Sequence, residues 1–303
     1  MLYSILLATA DRTQEVDHFL SFVARQSLRD FEVLIIDQNT DDRLEGVAES
    51  YSRLFPVRRL RSTRGHSRAF NAGLPHARGE ILAFPDDDCW YGPGLLQQVA
   101  DLFAAHPHCS GITGREIVEP GFTTGGRWDA HPGRVTRHNI WSRAISFTMF
   151  LRRSAAQRYR FDETLGVGAG TAWGAGEETD YLLKLIEDRH ELHYNPMVTV
   201  WHQGRSGPYT PEIHAKARKY GMGMGRVLRK NRYPAWSVGY HLARPLGGAA
   251  QALASGSLEK ARYHWSVFAG RLCGWRSAVE PANGLVQAVR RPQLTSNRED
   301  LSS

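Results

Sequence analysis

Three carboxylates in succession, Asp86, Asp87 and Asp88, follow the apolar run 81–84 and a proline. Their like charges repel one another, and moving them out of water costs free energy unless cations or hydrogen-bond donors compensate. A solvated turn that caps the next helix needs only one Asp. Three indicate a site for a hard divalent cation, Mg²⁺ or Mn²⁺, which takes oxygen ligands and often shares them with the phosphates of a substrate.

Two other groups are of types that could take part in chemistry. Glu177 and Glu178 begin the segment EETDYLLKLIEDRH, whose apolar residues follow a helical spacing. Taken alone, such a pair is typical of first-turn acids that complement a helix dipole. His202 ends the apolar run MVTVWH, and a histidine at the end of a strand is either a hydrogen-bonded structural residue or a ligand.

The elements that would position these groups alternate between strand and helix. Strands are predicted for the apolar runs 2–8, 31–37 and 81–84, and helical patterns follow in DRTQEVDHFLSFVARQS, LEGVAESYSRLF and SRAFNAGLPHA. This order predicts an α/β fold with a mostly parallel sheet and helices on both faces. Ligands of such sheets gather beyond the C-terminal ends of the strands. The expected ligand-binding edge therefore comprises residues 8–12, 37–42 and 86–88.

The second half of the chain continues with fewer strands. A helix is predicted for residues 95–103, a strand for ISFTMFLRR, and a loop for the glycine-rich segment GVGAGTAWGAG. MVTVWH is expected to be the last strand. Beyond it the chain is helical in character, with Pro234 and Pro245 as breaks.

Composition excludes several classes of protein. The chain has 303 residues, 42% of them hydrophobic and 23% charged, which excludes an intrinsically disordered protein. Cys89, Cys109 and Cys273 lack CxxC spacing, so neither a zinc site nor a disulfide framework is expected, and a reducing cytoplasm fits best. The first apolar run has the features of a strand rather than a signal peptide. No segment has the uninterrupted apolar length of a membrane span.

Positive charge is concentrated towards the C-terminus. Residues 205–291 contain 15 Lys and Arg but only 3 acids, a net charge of +12, so the overall +7 leaves −5 for the rest of the chain. Such asymmetry indicates an anionic partner for the basic part: a membrane surface, nucleic acid or a phosphorylated substrate.

Several of these segments together resemble one known family. SILLATADR, FEVLIIDQNTDD, GHSRAFNAGLPHARGEILAFPDDDCWYGPGLL, GEETDYLLKL and VWHQ are similar, in this order and over about residues 1–205, to the family 2 nucleotide-sugar glycosyltransferases. The resemblance implies a GT-A fold, which is a Rossmann-like nucleotide-binding α/β domain. It also implies inverting transfer of a sugar from a nucleoside diphosphate to an acceptor hydroxyl, in bacterial surface polysaccharide or glycolipid assembly.

The resemblance gives the acidic run a role. Asp86-Asp87-Asp88 matches the Asp-x-Asp motif of the family, which implies that Asp86 contacts the ribose. The resemblance also implies that Asp86 and Asp88 form the Mg²⁺ or Mn²⁺ site and that His202 completes it. A cation at the β-phosphate stabilises the negative charge that grows on the leaving nucleoside diphosphate.

A base and an acceptor contact are also implied. The acceptor hydroxyl must lose a proton to a base on the opposite side of the sugar. The position of that base in the family matches Glu178. The usual family residue at this position is Asp, so Glu177 is kept as the second candidate. Trp173, just before the pair, is expected either to stack on an acceptor sugar or to pack in its loop.

Nucleotide contacts are implied at four further positions. Ala8 and Asp11 flank the loop after the first strand, where the family contacts the nucleoside. Asp37 resembles the acid beside the nucleobase, but the next residue is Gln38 rather than a second Asp, which leaves the identity of the base open. Arg68 matches a basic position near the nucleotide, and its alternative is a solvated helix arginine.

Other functions fit the sequence less well. A dinucleotide-binding oxidoreductase needs GxGxxG after its first strand, where SILLATADRT has no glycine, and a sugar nucleotidyltransferase would need a Gly-rich, Lys-containing loop there. A nucleic-acid-binding protein is the non-enzymatic alternative, because the pI is about 9.5. The acidic first two thirds argue against it, and no nucleic acid partner is expected. The glycine runs GVGAG and GMGMG lie too late in the chain for nucleotide binding and indicate close packing.

Two domains are expected: the catalytic domain, 1–205, and a basic, aromatic-rich helical extension, 206–303. The extension is predicted to hold a cytoplasmic enzyme peripherally at the inner face of the membrane, close to a sugar or lipid-linked sugar acceptor. Lys260, Arg262 and Arg271 would reach lipid headgroups beside an apolar stripe, whose alternative is packing on the catalytic domain. The stripe consists of Ala261, Trp265, Phe268, Leu272 and Trp275.

Overall fold

The computed structural model describes residues 1–120, 122, 126–204 and 207–278, which form one sheet with helices around it. The strands in this part are β1 (Tyr3–Thr9), β2 (Phe31–Asp37), β3 (Val57–Arg61), β4 (Ile81–Ala83), β5 (Cys89–Tyr91), β6 (Gly111–Ile117), β7 (Gly133–Arg134), β8 (Met149–Arg152) and β9 (Leu192–His202). The helices are α1 (Gln14–Val23), α2 (Glu45–Ser52), α3 (His66–Gly73), α4 (Leu95–Ala105), α5 (Arg153–Ala156), α6 (Glu177–Glu187), α7 (Pro211–Lys230), α8 (Ala235–Ala254) and α9 (Leu258–Arg276).

The sheet has the order β3-β2-β1-β4-β8-β6-β9-β5, with β7 paired to β9. The first four strands are parallel to one another, as the strand-helix alternation predicts. The second half of the sheet is mixed, because β8 is antiparallel to both of its neighbours and β5 is antiparallel to β9, whereas β6 and β9 are parallel. The predicted α/β class is therefore confirmed.

Strand register brings the predicted ligand-binding residues to one edge. Thr9 at the end of β1 lies opposite Asp37 at the end of β2. Ala8 forms an isolated parallel bridge with Asp86, just beyond β4. Since parallel strands end at the same edge of a sheet, the loops after β1, β2 and β4 meet there.

The core lies on both faces of the sheet. β1 and β2 are buried along their whole length, which explains why their sequences are continuous apolar runs rather than alternating ones. Ile5 packs with Phe19 of α1 on one face, whereas its neighbour Leu6 packs in the cluster of Phe70 and Tyr181 on the other. The helices that carry candidate site residues, α3 and α6, share this second face.

Several local features differ from the sequence prediction: β5, β6 and β7 were not expected, and Pro245 lies inside α8 instead of breaking the helix. β3, with the sequence VRRLR, was not expected because three of its five residues are arginines. Its side chains are mostly half-buried, as suits a strand at the edge of a sheet. The strand expected for ISFTMFLRR begins only at Met149, because Ser146–Thr148 forms a 3-10 turn. The third helix ends at Gly73, and a separate 3-10 turn, Leu74–His76, contains its proline.

The C-terminal helices are joined to the core of the first part. Val227 and Leu228 of α7, and Val238 of α8, lie in the same hydrophobic cluster as Tyr181 of α6. The division of the chain near residue 205 stays a prediction. None of the helices in the described part of the chain is long and apolar enough to cross a membrane.

Glycines allow α7 to approach its neighbours closely. A Cβ at Gly223 would overlap the backbone of Ala175, in the loop before α6. On the same helix, a Cβ at Gly225 would overlap the backbone of α9, and one at Gly274 of α9 would overlap the backbone of α7. These contacts confirm that GMGMG serves close packing.

Candidate active site

The loop between β4 and β5 directs its first two carboxylates differently. Asp86 is partly exposed, and its Oδ1 accepts a hydrogen bond of 3.2 Å from the hydroxyl of Ser146. Loss of solvent around its carboxyl group raises the pKa of Asp86 to about 6. Asp87 is buried, and its Oδ2 accepts a hydrogen bond of 2.6 Å from the hydroxyl of Thr9. Asp87 is therefore held by β1, while Asp86 lies at the open side of the loop.

Arg12 joins the second and third carboxylates. Its Nη1 lies 2.5 Å from Oδ1 of Asp87 and 2.7 Å from Oδ2 of Asp88. Oδ1 of Asp88 faces Nε2 of His202 at 3.2 Å. Burial acts to raise the pKa of Asp88, but His202 and Arg12 outweigh it and hold that pKa well below its usual value. Asp88 thus stays ionised, as a carboxylate that binds metal must.

His202 is oriented from its other side as well. Its Nδ1 lies 3.3 Å from Oε1 of the buried Glu116, and its ring stacks on Phe147 with centroids 4.8 Å apart. Burial opposes protonation of His202, but the contacts with Asp88 and Glu116 outweigh it and raise its pKa to about 10. A partner on the far ring nitrogen fixes the orientation of a metal-binding histidine.

Asp86, Asp88 and His202 have the geometry of a cation site. Each offers one ligand atom, and these three atoms lie within 4.8 Å of one another. Two carboxylate oxygens and one imidazole nitrogen suit a divalent cation, which would take the place of the proton on Nε2 of His202 and complete its coordination with water or phosphate oxygens. The structure therefore brings together the three residues predicted for this role.

Asn39 connects the two loops on the expected nucleoside side. Its backbone N–H and side-chain amide donate to Oδ1 of the buried Asp37 at 2.9 and 2.8 Å, and its own Oδ1 accepts the N–H of Asp11 at 2.6 Å. Arg61 lies 3.0 Å from Oδ2 of Asp37, and Arg64 forms an ion pair with Asp11. The predicted nucleoside residues Asp11 and Asp37 thus lie together, with their charges compensated by neighbouring arginines.

Arg68 contacts the glycine-rich loop that precedes α6. Its Nη1 donates to the carbonyl of Arg64 at 2.7 Å and its Nη2 to the carbonyl of Ala169 at 3.3 Å, while Nε lies 3.6 Å from Oε2 of Glu163. These contacts give Arg68 a part in holding the loop. Its contact with a nucleotide stays a prediction.

Glu177 and Glu178 open α6 directly after Gly176, which has a φ of 93°. Oε1 of Glu177 lies 2.9 Å from Nδ1 of His66, and its buried Oε2 has no hydrogen-bond partner among the described residues. Glu178 is half-buried, and burial together with the charge of Glu177 raises the pKa of Glu178 well above that of an ordinary carboxyl. A raised pKa of this kind suits a general base that works near neutral pH.

His66 connects the two acidic groups. While Nδ1 faces Glu177, Nε2 lies 3.6 Å from Oδ1 of Asp86. Its backbone N–H donates to the carbonyl of Val167 at 2.9 Å, and its ring packs on Phe70 with centroids 4.4 Å apart. Burial opposes protonation, but the hydrogen bond to Glu177 and the charge of Asp86 outweigh it and raise the pKa of His66 to about 9. A single imidazole therefore links the cation-site residues to the Glu pair.

Trp173 lies in the loop before the Glu pair and is covered by α7. The guanidinium of Arg226 lies 4.2 Å from the centroid of the Trp173 ring. The backbone carbonyl of Trp173 accepts a hydrogen bond from the N–H of Gly166 at 2.9 Å. The N–H of Gly174 donates to the carbonyl of Lys219 at 3.2 Å, which ties the loop to α7. Packing accounts for part of the indole surface, and acceptor binding by Trp173 stays a prediction.

Comparison with known proteins decides the family. The model of the family described as "Glycosyl transferase family 2" matches residues 4–160, just over half of the chain. The chain belongs to this family. The predicted family and the predicted class of enzyme, a glycosyltransferase, are thereby confirmed, and the nucleotidyltransferase and nucleic-acid-binding alternatives are set aside.

Curated relatives of this glycosyltransferase include an uncharacterized glycosyltransferase of Haemophilus influenzae, 27% identical over 199 residues, which are 62% of this chain and 63% of that protein. A beta-monoglucosyldiacylglycerol synthase of Trichormus variabilis is 38% identical over 78 residues, which are 24% of this chain and 17% of that protein. The chain therefore spans less than two thirds of the length of either relative.

Two solved structures resemble the fold. Staphylococcus aureus TarS 1-349 in complex with UDP-GlcNAc has a TM-score of 0.59 at 15% identity, with 88% of this chain and 91% of that chain covered. The mannosyltransferase PcManGT of Pyrobaculum calidifontis, in complex with GDP-Man and Mn²⁺, has a TM-score of 0.60 at 15% identity, with 89% and 86% covered. These similarities confirm the GT-A fold.

Two residues of this glycosyltransferase were missed from its sequence although they face the acidic groups. Arg12 lies within the expected ligand-binding edge, three residues after β1, and a cation so placed could have been matched to the neighbouring acids. His66 opens the helix of GHSRAFNAG, where only Arg68 was given a role. The available signal was a histidine at a helix start on the same edge.

Proposed function

We propose that this glycosyltransferase moves a sugar from a nucleoside diphosphate to an acceptor hydroxyl in a metal-dependent reaction that inverts the anomeric carbon. The observation that carries the proposal is the placement of a cation-site trio and an acidic pair on the two sides of His66. One side offers charge stabilisation for a leaving diphosphate. The other offers a base for an attacking hydroxyl.

The donor would lie along the edge formed by the loops after β1, β2 and β4. A cation bound there would offset the negative charge that develops on the leaving nucleoside diphosphate. PcManGT, a protein of similar fold whose structure contains GDP-Man and Mn²⁺, supports a nucleotide-sugar donor that binds together with a divalent cation. The chain's own contributions would be nucleoside contacts from Ala8, Asp11, Asp37 and Arg68, a ribose contact from Asp86, and a Mg²⁺ or Mn²⁺ site of Asp86, Asp88 and His202.

Glu178 is the proposed base. Its carboxylate accepts the proton of the acceptor hydroxyl as the hydroxyl oxygen bonds to the anomeric carbon. The bond from that carbon to the phosphate oxygen breaks, and its electron pair leaves with the nucleoside diphosphate. Attack opposite the leaving group inverts the configuration. Glu177 is the less suitable base, because His66 holds one of its oxygens and the other is buried.

The proposed acceptor is a sugar or lipid-linked sugar used in surface polysaccharide or glycolipid assembly at the inner face of the cytoplasmic membrane. Trp173, five residues before Glu178 in the sequence, offers an aromatic surface for a sugar ring. The basic C-terminal part favours an anionic surface nearby. The similarity to a protein named as a beta-monoglucosyldiacylglycerol synthase supports a lipid acceptor or product.

A screen of nucleotide sugars with the full-length protein tests the proposal. We expect a suitable donor to raise the melting temperature when Mn²⁺ or Mg²⁺ is present, because a ligand that binds only the native state stabilises it. With acceptor added, release of nucleoside diphosphate should require the cation, and NMR of the product should show the anomeric configuration opposite to that of the donor. Retained configuration, or full turnover in EDTA, would contradict the proposal.

A further inference from the structure

The outward face of α8 is a long exposed apolar surface. Trp236 is 65% exposed, Tyr240 55% and Leu253 58%. Positions 236, 240, 243, 247, 250 and 254 recur at helical spacing, so they share one face, which extends about 27 Å at 1.5 Å per residue, and Leu253 lies at the edge of this face. Its smaller exposed residues are Gly239, Ala243, Gly247, Ala250 and Ala254.

The opposite side of α8 is firmly packed. Ser237, Val238, His241 and Ala252 are buried, and Nη1 of Arg271 on α9 donates to the carbonyl of His241 at 2.5 Å. The exposed face is therefore presented by an anchored helix. Contiguous apolar surfaces of this kind are uncommon on soluble monomers and mark sites of interaction.

The sequence predicted an exposed apolar surface on α9, but in the structure the longer exposed apolar surface lies on α8. Ala261 of α9 is buried, and Trp275 packs against the hydrophobic core. The guanidinium of Arg271 donates to the carbonyl of His241 on α8, and the guanidinium of Arg262 is paired with the carboxylate of Glu259 at 2.6 Å. Of the predicted stripe, Trp265 is the residue that stays well exposed.

Charges around the α8 face are almost all positive. Arg232 precedes α8, Arg244 lies within it with its guanidinium 5.8 Å from the ring centroid of Tyr240, and Lys260 follows on α9. α8 itself contains no acidic residue, and Glu259 is the sole acid in residues 213–278 of the sequence. A second copy of this chain on the face would bring like charges together, which disfavours a dimer there.

We propose that the α8 face lies in the headgroup region of an anionic lipid bilayer. Trp and Tyr prefer the boundary between headgroups and acyl chains, and a helix with one apolar face and flanking cations binds in the plane of that boundary. Basic side chains at both ends of the face would meet anionic headgroups. This inference deepens the proposed function, since it names the surface that would bring the enzyme to a lipid-linked acceptor.

Flotation of the full-length protein with vesicles tests the inference without donor, cation or acceptor, so the result is independent of the proposed reaction. We expect binding to vesicles of phosphatidylcholine with phosphatidylglycerol, and weaker binding to phosphatidylcholine alone or at high salt. The triple variant Trp236→Ser, Tyr240→Ser, Leu253→Ser should bind at least about tenfold more weakly, since it removes most of the large apolar side chains of the face.

The matched control is Leu54→Ser with Met197→Ser, which removes large exposed apolar residues from other surfaces and should leave vesicle binding unchanged. The pair Arg232→Gln and Lys260→Gln, at the two ends of the face, should reduce the preference for anionic vesicles. Melting temperatures near that of the unaltered protein would show that the variants fold. Equal binding by the triple variant, no binding by the unaltered protein, or a dimer that the triple variant dissociates would each overturn the inference.

Discussion

Asp88 and Glu178, one from each acidic cluster of the candidate site, lie in opposite electrostatic environments. Asp88 lies between the guanidinium of Arg12 and the imidazole of His202, and these partners overcome the effect of burial to keep its pKa low. Glu178 is half-buried beside Glu177, and both factors raise its pKa. Neighbouring charges and burial, rather than the type of residue, decide the protonation state of each cluster.

This difference corresponds to two kinds of chemistry. A carboxylate that stays ionised can bind a cation over a wide range of pH, whereas one with a raised pKa can accept a proton and release it again. His66 lies at the boundary between the clusters, 3.6 Å from Asp86 and 2.9 Å from Glu177. Substitutions in each cluster and at the boundary should therefore have separable effects.

The largest effect is expected in the cation cluster. Asp88→Asn removes one charge from the cation site and should lower transfer by about 10³-fold, comparable to the loss of a strong transition-state contact. It should also weaken cation-dependent binding of a nucleoside diphosphate, measured by calorimetry. Asp101→Asn, an exposed aspartate on α4, is the control and should keep full activity. Full activity of Asp88→Asn without added metal would contradict the assignment of Asp88 as a ligand of the cation.

The next effect separates chemistry from binding. Glu178→Gln should bind the donor almost normally and lose about 10²-fold in kcat, because an amide cannot accept the proton of the acceptor hydroxyl. Glu177→Gln is the matched neighbour and should lose less. If Glu177→Gln shows the larger loss in kcat, the base is Glu177, and if neither substitution lowers kcat, the cluster does not supply a base.

A smaller effect is expected at the boundary residue. His66→Ala should lower kcat by about tenfold while the KM for donor changes little, because Glu177 loses the contact that orients the start of α6. His66→Asn should keep more activity, since its amide can still donate to Glu177. His190→Asn is the control, because His190 is half-buried, lies just beyond the end of α6 that is opposite the Glu pair, and contacts Ser110 through its Nδ1 at 2.9 Å. Equal losses for Ala and Asn would argue against an orienting hydrogen bond.

The smallest effect is a displacement of the pH profile. Glu178 acts as a base only when deprotonated, so activity should fall as pH decreases through its raised pKa, at a higher pH than for an ordinary glutamate. The positive charge of His66 lowers the pKa of Glu178, and His66→Asn should therefore move this acidic limb to still higher pH. The measurement is kcat/KM against pH for both proteins. An unchanged limb would show that His66 does not influence the base electrostatically.

The common edge at which the parallel strands end was predictable because its determinants are local. Continuous apolar runs specify buried parallel strands, and the residues directly after them, such as Asp37 and Asp86, must lie at the common edge. His202 could be placed at a strand end for the same reason. The edge strand β3 was missed because its arginines lack an apolar pattern, and an edge strand needs little burial.

Contacts between distant parts of the chain could not be read from periodicity. His66 and Glu177 are 111 residues apart, and only the folded chain shows that one holds the other. The inward side of α9 was equally hidden, because a helix with apolar and basic residues around its circumference gives no decisive face. Tertiary packing against α7 and α8 determines which of its side chains are buried.

The glycine contacts of α7 have a mechanical consequence. Gly223 meets the loop that leads to the Glu pair, while Gly225 and Gly274 lock α7 to α9, and α9 is paired with α8. Because the backbones touch directly, no flexible side chain lies between them to absorb a displacement. The angle at which α8 rests on a surface would therefore set the height and tilt of the candidate active site above it. A Gly223→Leu substitution would push α7 and the loop before α6 apart, and so would change the position of the Glu pair relative to α8.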